Sequence, residues 1–447
     1  MNNSQHIEAR KPSLLLSFLP IALLIVLLSI NVMFYGADAS YGPNQLALLF
    51  SAALATVLAT ILGWKWHDIQ NGIVRSIKTS LPAVIILLII GALIGTWMLS
   101  GIVPTMIYYG LKVMSPTYFL ITTCLVCSVI SVATGSSWTT VSTVGVALIG
   151  IAHGLGISPA MAAGAIISGA YFGDKLSPLS DTTNLAASVA GTELFTHIKY
   201  MIHTTAPTYI ITLILFLFLG FTGKSGGEVA QVDLLLSTLD STYFISPILF
   251  IIPLLVVVLI LFKMDAVPAL MIGTIGGAIF AIIFQPDIIK KISGLTTEAD
   301  SVIGYIKHSY TACINAMALE VGLETNNADI NKLVQTGGMA SMMNTIWLII
   351  CAMTFGGAME VSGFLYKITD FIIKFAKSTG SLIATTVTTC FFFNVTTSDQ
   401  YLAIVVPGKM FRKTYEDRGL NPEVLSRSIE DSGTVTSPLV PWNTCAA

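Results

Sequence analysis

Seven stretches of this chain stay apolar for roughly 17 to 25 residues, the length that crosses a bilayer as a helix. They fall at 14–35, 45–63, 81–100, 205–221, 244–262, 267–285 and 339–360. Four others, 117–152, 158–192, 380–408 and 421–447, alternate half-length apolar runs with Gly, Ser, Thr, Pro and Asp. The segment 286–338 is polar and amphipathic, and predicts short surface helices in a loop between two spans. Leu14–Met33 follows Arg10-Lys11 and precedes Ala37-Asp38-Ala39, which has the look of a cleavage site. Its apolar run exceeds the roughly 7 to 15 residues of a secretory leader, so the pattern predicts a retained first helix.

The interrupted segments come in pairs. Ser100-Gly101 returns as Ser362-Gly363 and Thr134-Gly135-Ser136 as Thr396-Thr397-Ser398, both 262 residues on (362 − 100, 396 − 134). Gly173 followed by Ser177-Pro178-Leu179 returns as Gly433 followed by Ser437-Pro438-Leu439, 260 residues on (433 − 173). This predicts two repeats, 1–225 and 240–447, with 286–338 a connector inside the second. Paired, Gly/Pro-interrupted spans in corresponding halves point to the binding site of a secondary transporter.

Charge placement orients the chain. Arg10 and Lys11, then Lys65, Arg75 and Lys78, put the N-terminus and second loop in the cytoplasm. The connector 222–243, with Glu228, Asp233 and Asp240 against Lys224, reads as external. Lys263, the group Lys367, Lys374 and Lys377, and the cluster Lys409, Arg412, Lys413 and Arg418 read as cytoplasmic. These constraints make 117–152 a re-entrant hairpin of two half-helices from outside and 380–408 its counterpart from inside. Their tips are 133–138 and 396–400, and the second repeat is inverted. The second repeat has no counterpart of 205–221, which implies a further helix after Ala447.

Composition narrows the class. The chain is 54% hydrophobic and only 10% charged, with a mean hydropathy of +0.81, which excludes a water-soluble globule. A net charge of −2 supplies no basic surface for nucleic acid. The six cysteines sit mostly in apolar runs, and Cys124 and Cys127, despite redox-motif spacing, read as small packing residues with neither disulfide nor zinc.

Irregular backbone at membrane depth survives only where it is buried in protein or lines a wet cavity. The two tips and the breaks 173–184 and 431–438 carry that constraint. Pro178 and Pro438 free carbonyls one turn back, and Gly173 and Gly433 permit unwinding. Freed carbonyls, hydroxyls and carboxylates are hard oxygen donors that suit a small hard cation. Intramembrane carboxylates are functional by default, which singles out Asp174, Asp181, Asp399 and Asp431, with Glu360 near the end of a span. A carboxylate in a partly dry site holds a proton and releases it when a cation arrives. Competing readings are an ion pair of Asp174 with Lys175, helix capping by Asp181-Thr182-Thr183-Asn184, a solvated turn at Asp399 and a surface position for Glu360. Glu320 and Glu324 read as solvated, and His67, His153, His197 and His203 as interfacial.

The motifs Ala133-Thr-Gly-Ser-Ser-Trp-Thr-Thr140, Gly169-Ala-Tyr-Phe-Gly-Asp-Lys-Leu-Ser-Pro-Leu-Ser-Asp-Thr-Thr-Asn184 and Ser437-Pro-Leu-Val-Pro-Trp-Asn-Thr444 resemble those of the NhaC family of bacterial sodium/proton antiporters, over nearly the whole chain. The resemblance implies a cytoplasmic-membrane protein that exchanges Na+ for H+ in sodium extrusion and pH homeostasis, and not an enzyme. It implies no cofactor beyond the transported ions. The family also includes exchangers of organic anions, malate against lactate. The combined expectation is an all-α polytopic protein of two inverted repeats around a midplane site. Asp174 and Asp181 carry proton and sodium and Asp399 assists. Thr134, Ser136, Ser137, Ser177, Thr182, Thr183, Asn184, Thr396, Ser398, Ser437 and Asn443 supply neutral oxygens. Expected partners are the bilayer, Na+ and H+, an organic anion in the alternative, and a second copy of the chain. An intramembrane hydrolase is the remote alternative; the chain has neither a His-Glu-x-x-His pair nor a Gly-x-Gly-Asp motif.

Overall fold

The apolar runs become helices in the computed structural model, which describes residues 10–222, 229–262, 264–295, 301–323, 331 and 335–446. Lys224, Glu228, Lys263 and Glu324, used above to orient or weigh the chain, lie outside the described residues. In chain order the helices are α1 Leu14–Tyr35, α2 Pro43–Ile61, α3 Trp66–Leu99, α4 Ile102–Val113, α5 Phe119–Thr134, α6 Ser137–Thr140, α7 Val146–Gly154, α8 Pro159–Leu176, α9 Asp181–Ala190 and α10 Leu194–Thr222. They continue as α11 Val229–Thr242, α12 Ile251–Leu261, α13 Ala266–Phe284, α14 Pro286–Ser293, α15 Val302–Ala318, α16 Met343–Val361, α17 Phe364–Ile373, α18 Thr379–Thr397, α19 Gln400–Asp417 and α20 Pro422–Gly433. A π turn, Val141–Gly145, joins α6 to α7, and a single helical turn, Gly338–Ser341, precedes α16.

Among the described residues, six helices are long and apolar enough to cross a membrane: α1, α2, α3, α10, α13 and the run Gly338–Val361. The expected span 244–262 is different. It opens as a 3-10 turn at Pro247–Phe250, continues as α12, and is bent by 87° from the preceding helix. The preceding acidic stretch, read as an external connector, itself forms α11. The chain is therefore an all-helical polytopic membrane protein.

Two compact units are interleaved along the chain, and they do not coincide with its halves. The first comprises residues 1–84, 182–200 and 344–447. There α1 and α2 pack on each other and close over α16 and α17 through Leu24, Leu48, Phe355 and Phe364. A second cluster, including Ala186, Leu382, Ile404, Phe411 and Ile429, joins α9 to α18, α19 and α20. The second unit comprises residues 85–181 and 201–343, with Leu93, Trp97, Phe119, Ile166, Val256 and Leu270 in its core.

Each unit contains one hairpin. In the second unit α5 turns at Gly135–Ser136 into α6, the π turn and α7. In the first, α18 turns at Ser398–Asp399 into α19. The arms are longer than the half-helices expected: α5 has 16 residues, α18 has 19 and α19 has 18. All six cysteines are free thiols, five of them buried.

Candidate functional site

The hairpin of the second unit is built around one carboxylate. Gly135 takes a left-handed conformation (φ 68°) that ends α5, and Ser136 caps the next helix, its Oγ accepting from the Thr139 amide at 3.2 Å. The first residue of that helix, Ser137, donates both its amide (3.1 Å) and its hydroxyl (2.7 Å) to Asp174 Oδ2. The carboxylate thus sits at the positive end of a helix dipole. Asp174 is 4% exposed. The Thr134 Oγ1 is buried and makes no hydrogen bond, while the Ser180 side chain is a further hydrogen-bonding partner of the carboxylate and Asp181 lies within its electrostatic reach.

The placement of Asp174 corrects the expected break. Helix α8 runs without interruption through Gly173 and Asp174 to Leu176, and the irregular stretch is Ser177–Ser180. Gly173 is there for close approach instead of unwinding. A Cβ on it would lie 2.4 Å from the Ser128 carbonyl oxygen, and one on Gly169 would lie 2.2 Å from that of Cys124. The two glycines, one turn apart, let α8 lie directly on α5. Across the break, Ser177 donates to the Val132 carbonyl at 2.8 Å, holding Pro178 beside the tip.

The hairpin of the first unit follows the same plan with other residues. Ser398 ends α18 in the left-handed region (φ 58°), the one non-glycine residue there with positive φ among the described residues. Asp399 caps α19, its Oδ1 accepting from the Leu402 amide at 2.8 Å, and is 2% exposed. Glu360 on α16 is close enough to act on it electrostatically. Asn394 donates to the Gly433 carbonyl (2.7 Å) and to Thr436 Oγ1 (2.9 Å). Asn443 donates to Asn394 Oδ1 at 3.1 Å, and the Thr444 amide to the Ser398 carbonyl at 2.9 Å. Ser437 donates to the Thr434 carbonyl at 2.6 Å and has Gln400 Oε1 at 3.3 Å. Gly433 is the last residue of α20, where a Cβ would press on Ile404 at 2.8 Å, and Pro438 lies in a 3-10 turn.

These contacts recur at a single offset of 263 residues. Gly135 and Ser398 are the left-handed tips, and Ser136 and Asp399 the caps. Ser131 donates to the Ala170 carbonyl as Asn394 does to that of Gly433 (394 − 131, 433 − 170). Ser137 meets Asp174 as Gln400 meets Ser437 (400 − 137, 437 − 174). The sequence motifs, matched on residue identity, gave 262 and 260. The Ser-Pro-Leu turns, which follow the two break helices, lie three residues out of the contact register (263 − 260).

Other candidate residues are distributed as follows. Asp181 is the first residue of α9 and is exposed, an acid in the helix's first turn. Thr182 and Thr183 are buried and Asn184 exposed. Thr396 turns inward on its own helix, bonding the Phe392 carbonyl at 2.8 Å. Asp431, singled out as an intramembrane carboxylate, forms an i,i+4 pair with Arg427 at 3.8 Å on a partly exposed face. The neighbour Glu430 is the fully buried acid, taking the Thr182 hydroxyl on Oε1 at 3.1 Å. Both it and Asn394 were missed. Asn394 is the lone amide in the apolar run 390–395, and the Arg427/Asp431 spacing marks the outer face of α20, leaving Glu430 on the inner one. His197 is buried against Ser426 at 2.8 Å and so is not interfacial. His67, His153 and His203 are exposed.

An all-helical chain with several spans and two buried, oxygen-rich clusters, each set where a hairpin tip meets a helix break, has the architecture of a membrane transport protein. Comparison with known sequences gives the family. The profile of the Na+/H+ antiporter family matches residues 169–447. The chain is 37% identical to the Na(+)/H(+) antiporter NhaC of Alkalihalophilus pseudofirmus, over 90% of this chain and 83% of that protein. It is 39% identical to the Malate-2H(+)/Na(+)-lactate antiporter of Bacillus subtilis, over 90% and 81%, and 34% identical to the Arginine/ornithine antiporter ArcD of Halobacterium salinarum, over 97% and 85%. The chain belongs to the Na+/H+ antiporter family.

Proposed function

We propose that this protein exchanges Na+ for H+ across a bacterial cytoplasmic membrane, with its N-terminus in the cytoplasm. Its halves, 1–225 and 240–447, act as inverted repeats. The observation that carries this reading is the buried Asp174 carboxylate, clasped by Ser137 at a hairpin tip beside a broken helix. A buried carboxylate that binds a proton or a cation, but not both, couples the two ions by mass action. Asp174 serves with Thr134, Ser136, Ser137 and Ser177 as hard oxygens. Asp399 serves with Ser398, Ser437 and Asn443, and Asp181 with Thr182, Thr183 and Asn184. The ions are cargo, and the donor set of carboxylate, hydroxyl and carbonyl oxygens fits Na+.

Organic-anion exchange is the second reading, favoured by the identity to the malate/lactate antiporter. Helix N-termini at Ser137 and Gln400 would receive a carboxylate, but no arginine stands in either tip. A pH-gradient dye in everted vesicles separates the two. NaCl, KCl, choline malate, choline lactate and arginine are added in turn. Dequenching by Na+ alone establishes the proposal, and a response confined to the organic solutes replaces it.

A further inference from the structure

Helix α15 does not behave as part of a surface loop. Tyr305 donates its hydroxyl to the Ile282 carbonyl of α13 at 2.6 Å, and Cys313 Sγ reaches the Ala278 carbonyl at 4.0 Å. Its last turn lies on α3, where a Cβ on Gly95 would stand 1.8 Å from the Ala316 carbonyl oxygen. Both partners are spans. Ala278 is six residues and Gly95 four residues inside their ends, or about 9 and 6 Å at 1.5 Å per residue. A helix docked there on backbone carbonyls, with glycine removing the side chain between, is held one to two turns inside the ends of its neighbours.

The two faces of α15 agree with that depth. His308, Ser309, Ala312, Cys313 and Ala316 are buried against the unit, with His308 Nδ1 bonded to Ser293 at 2.6 Å. The other face is an i, i+3, i+4 stripe of Ile303, Ile306, Tyr310 and Ile314, which are 82%, 62%, 70% and 44% exposed. Lone apolar side chains on a soluble surface are ordinary, but a stripe about three turns long has an occupant. The stripe flanks the outward row of α13, where Ile275, Ile279 and Ile283 are 52%, 49% and 60% exposed on a helix that meets lipid by its own length and hydropathy. Lys307, the charged residue of the helix, stands near its N-terminal end, where a four-carbon stem lets an ammonium reach the headgroups.

We infer that α15 is a re-entrant membrane helix whose stripe Ile303, Ile306, Tyr310 and Ile314 is covered by lipid acyl chains. Hydropathy does not mark it as a span, because one face in two is small or polar. Its role is to seal the flank of α3 and α13 without crossing the bilayer.

The test uses the full chain with its six native cysteines replaced by alanine, retained only if it still exchanges ions. Bimane is attached at Ile306→Cys or Ile314→Cys, with Asp287→Cys, an exposed position of α14, as the aqueous reference, and each is reconstituted into phosphatidylcholine vesicles. Loss of fluorescence at 306 and 314 with dibrominated acyl chains, and none with iodide, is the expected result, with the reverse at 287. Iodide quenching at 306 and 314 equal to that at 287 returns α15 to the aqueous loop and overturns the inference. Quenching by neither reagent shows the stripe buried in protein, such as a second copy, and overturns it as well.

Discussion

The two tip and break pairs place their carboxylates on opposite partners. In the second unit the tip is capped by a hydroxyl, Ser136, and the acid, Asp174, stands on the break helix. In the first unit the tip is capped by the acid, Asp399, and the position matching Asp174 is the hydroxyl of Ser437. Each pair keeps one carboxylate and one hydroxyl with the roles exchanged. The tips differ in the same spirit, Gly135 against Ser398 in the same left-handed conformation. The carboxylate stands in a helix C-terminal turn in one unit and at a helix N-terminus in the other.

The sharpest way to break the comparison is to remove each acid. Asp174→Asn and Asp399→Asn are each expected to lower Na+-dependent proton flux by about 100-fold, equivalent to about 2.7 kcal/mol, in the vesicle assay. Adding Ser136→Asp to Asp399→Ser should not restore exchange, since the two positions are not interchangeable. Flux above a tenth of wild type in either single variant would show that one unit suffices.

A smaller and opposite pair of effects is expected at the tips. Gly135→Ala places a Cβ 2.6 Å from Leu179 Cβ in a left-handed residue, and the backbone alone costs about 1–2 kcal/mol. Ser398→Gly relieves strain of that size. Thermal unfolding in detergent should show the midpoint falling for the first and rising for the second, and parallel shifts would mean the tips are not alike. The least effect belongs to Tyr209 on α10, whose hydroxyl meets Ser128 at 2.5 Å and whose ring stacks on Phe172 at 3.6 Å. Tyr209→Phe keeps the stack and loses the neutral hydrogen bond with Ser128, worth about 1 kcal/mol, and the weaker one from Cys124 Sγ at 3.8 Å. It should raise the KM for Na+ severalfold with little change in maximal rate, while Tyr209→Ala lowers both capacity and affinity.

Much of this was legible in the chain. Spans such as Leu14–Tyr35 and Ala266–Phe284 fell within two residues of their apolar runs, because a bilayer reads mean hydropathy and little else. The tips were legible as polar clusters, but their pairing was one residue off, since Ser398 matches Gly135 in backbone conformation and not in identity. Gly173 beside Pro178 looked like a point of unwinding; glycine in a membrane helix serves close packing as readily, and only a neighbour such as Ser128 reveals which. Glu430 was hidden beside Asp431 because the two acids are adjacent, and α20 had to be given its faces before they parted. Helix α15 was illegible for the opposite reason, its docking being set by Gly95 of another helix, against which the Ala316 carbonyl lies, rather than by its own composition.

The first unit is closed by segments that lie far apart in the order of synthesis. Leu24 and Leu48 on α1 and α2 meet Phe355 and Phe364, which emerge some three hundred residues later. At about 5–20 residues per second, the first helical pair waits on the order of 15–60 s for the surface it will rest against. Leu48 is without that partner surface throughout the interval, so a polar substitution there is expected to act on the nascent chain, before any transport cycle has begun.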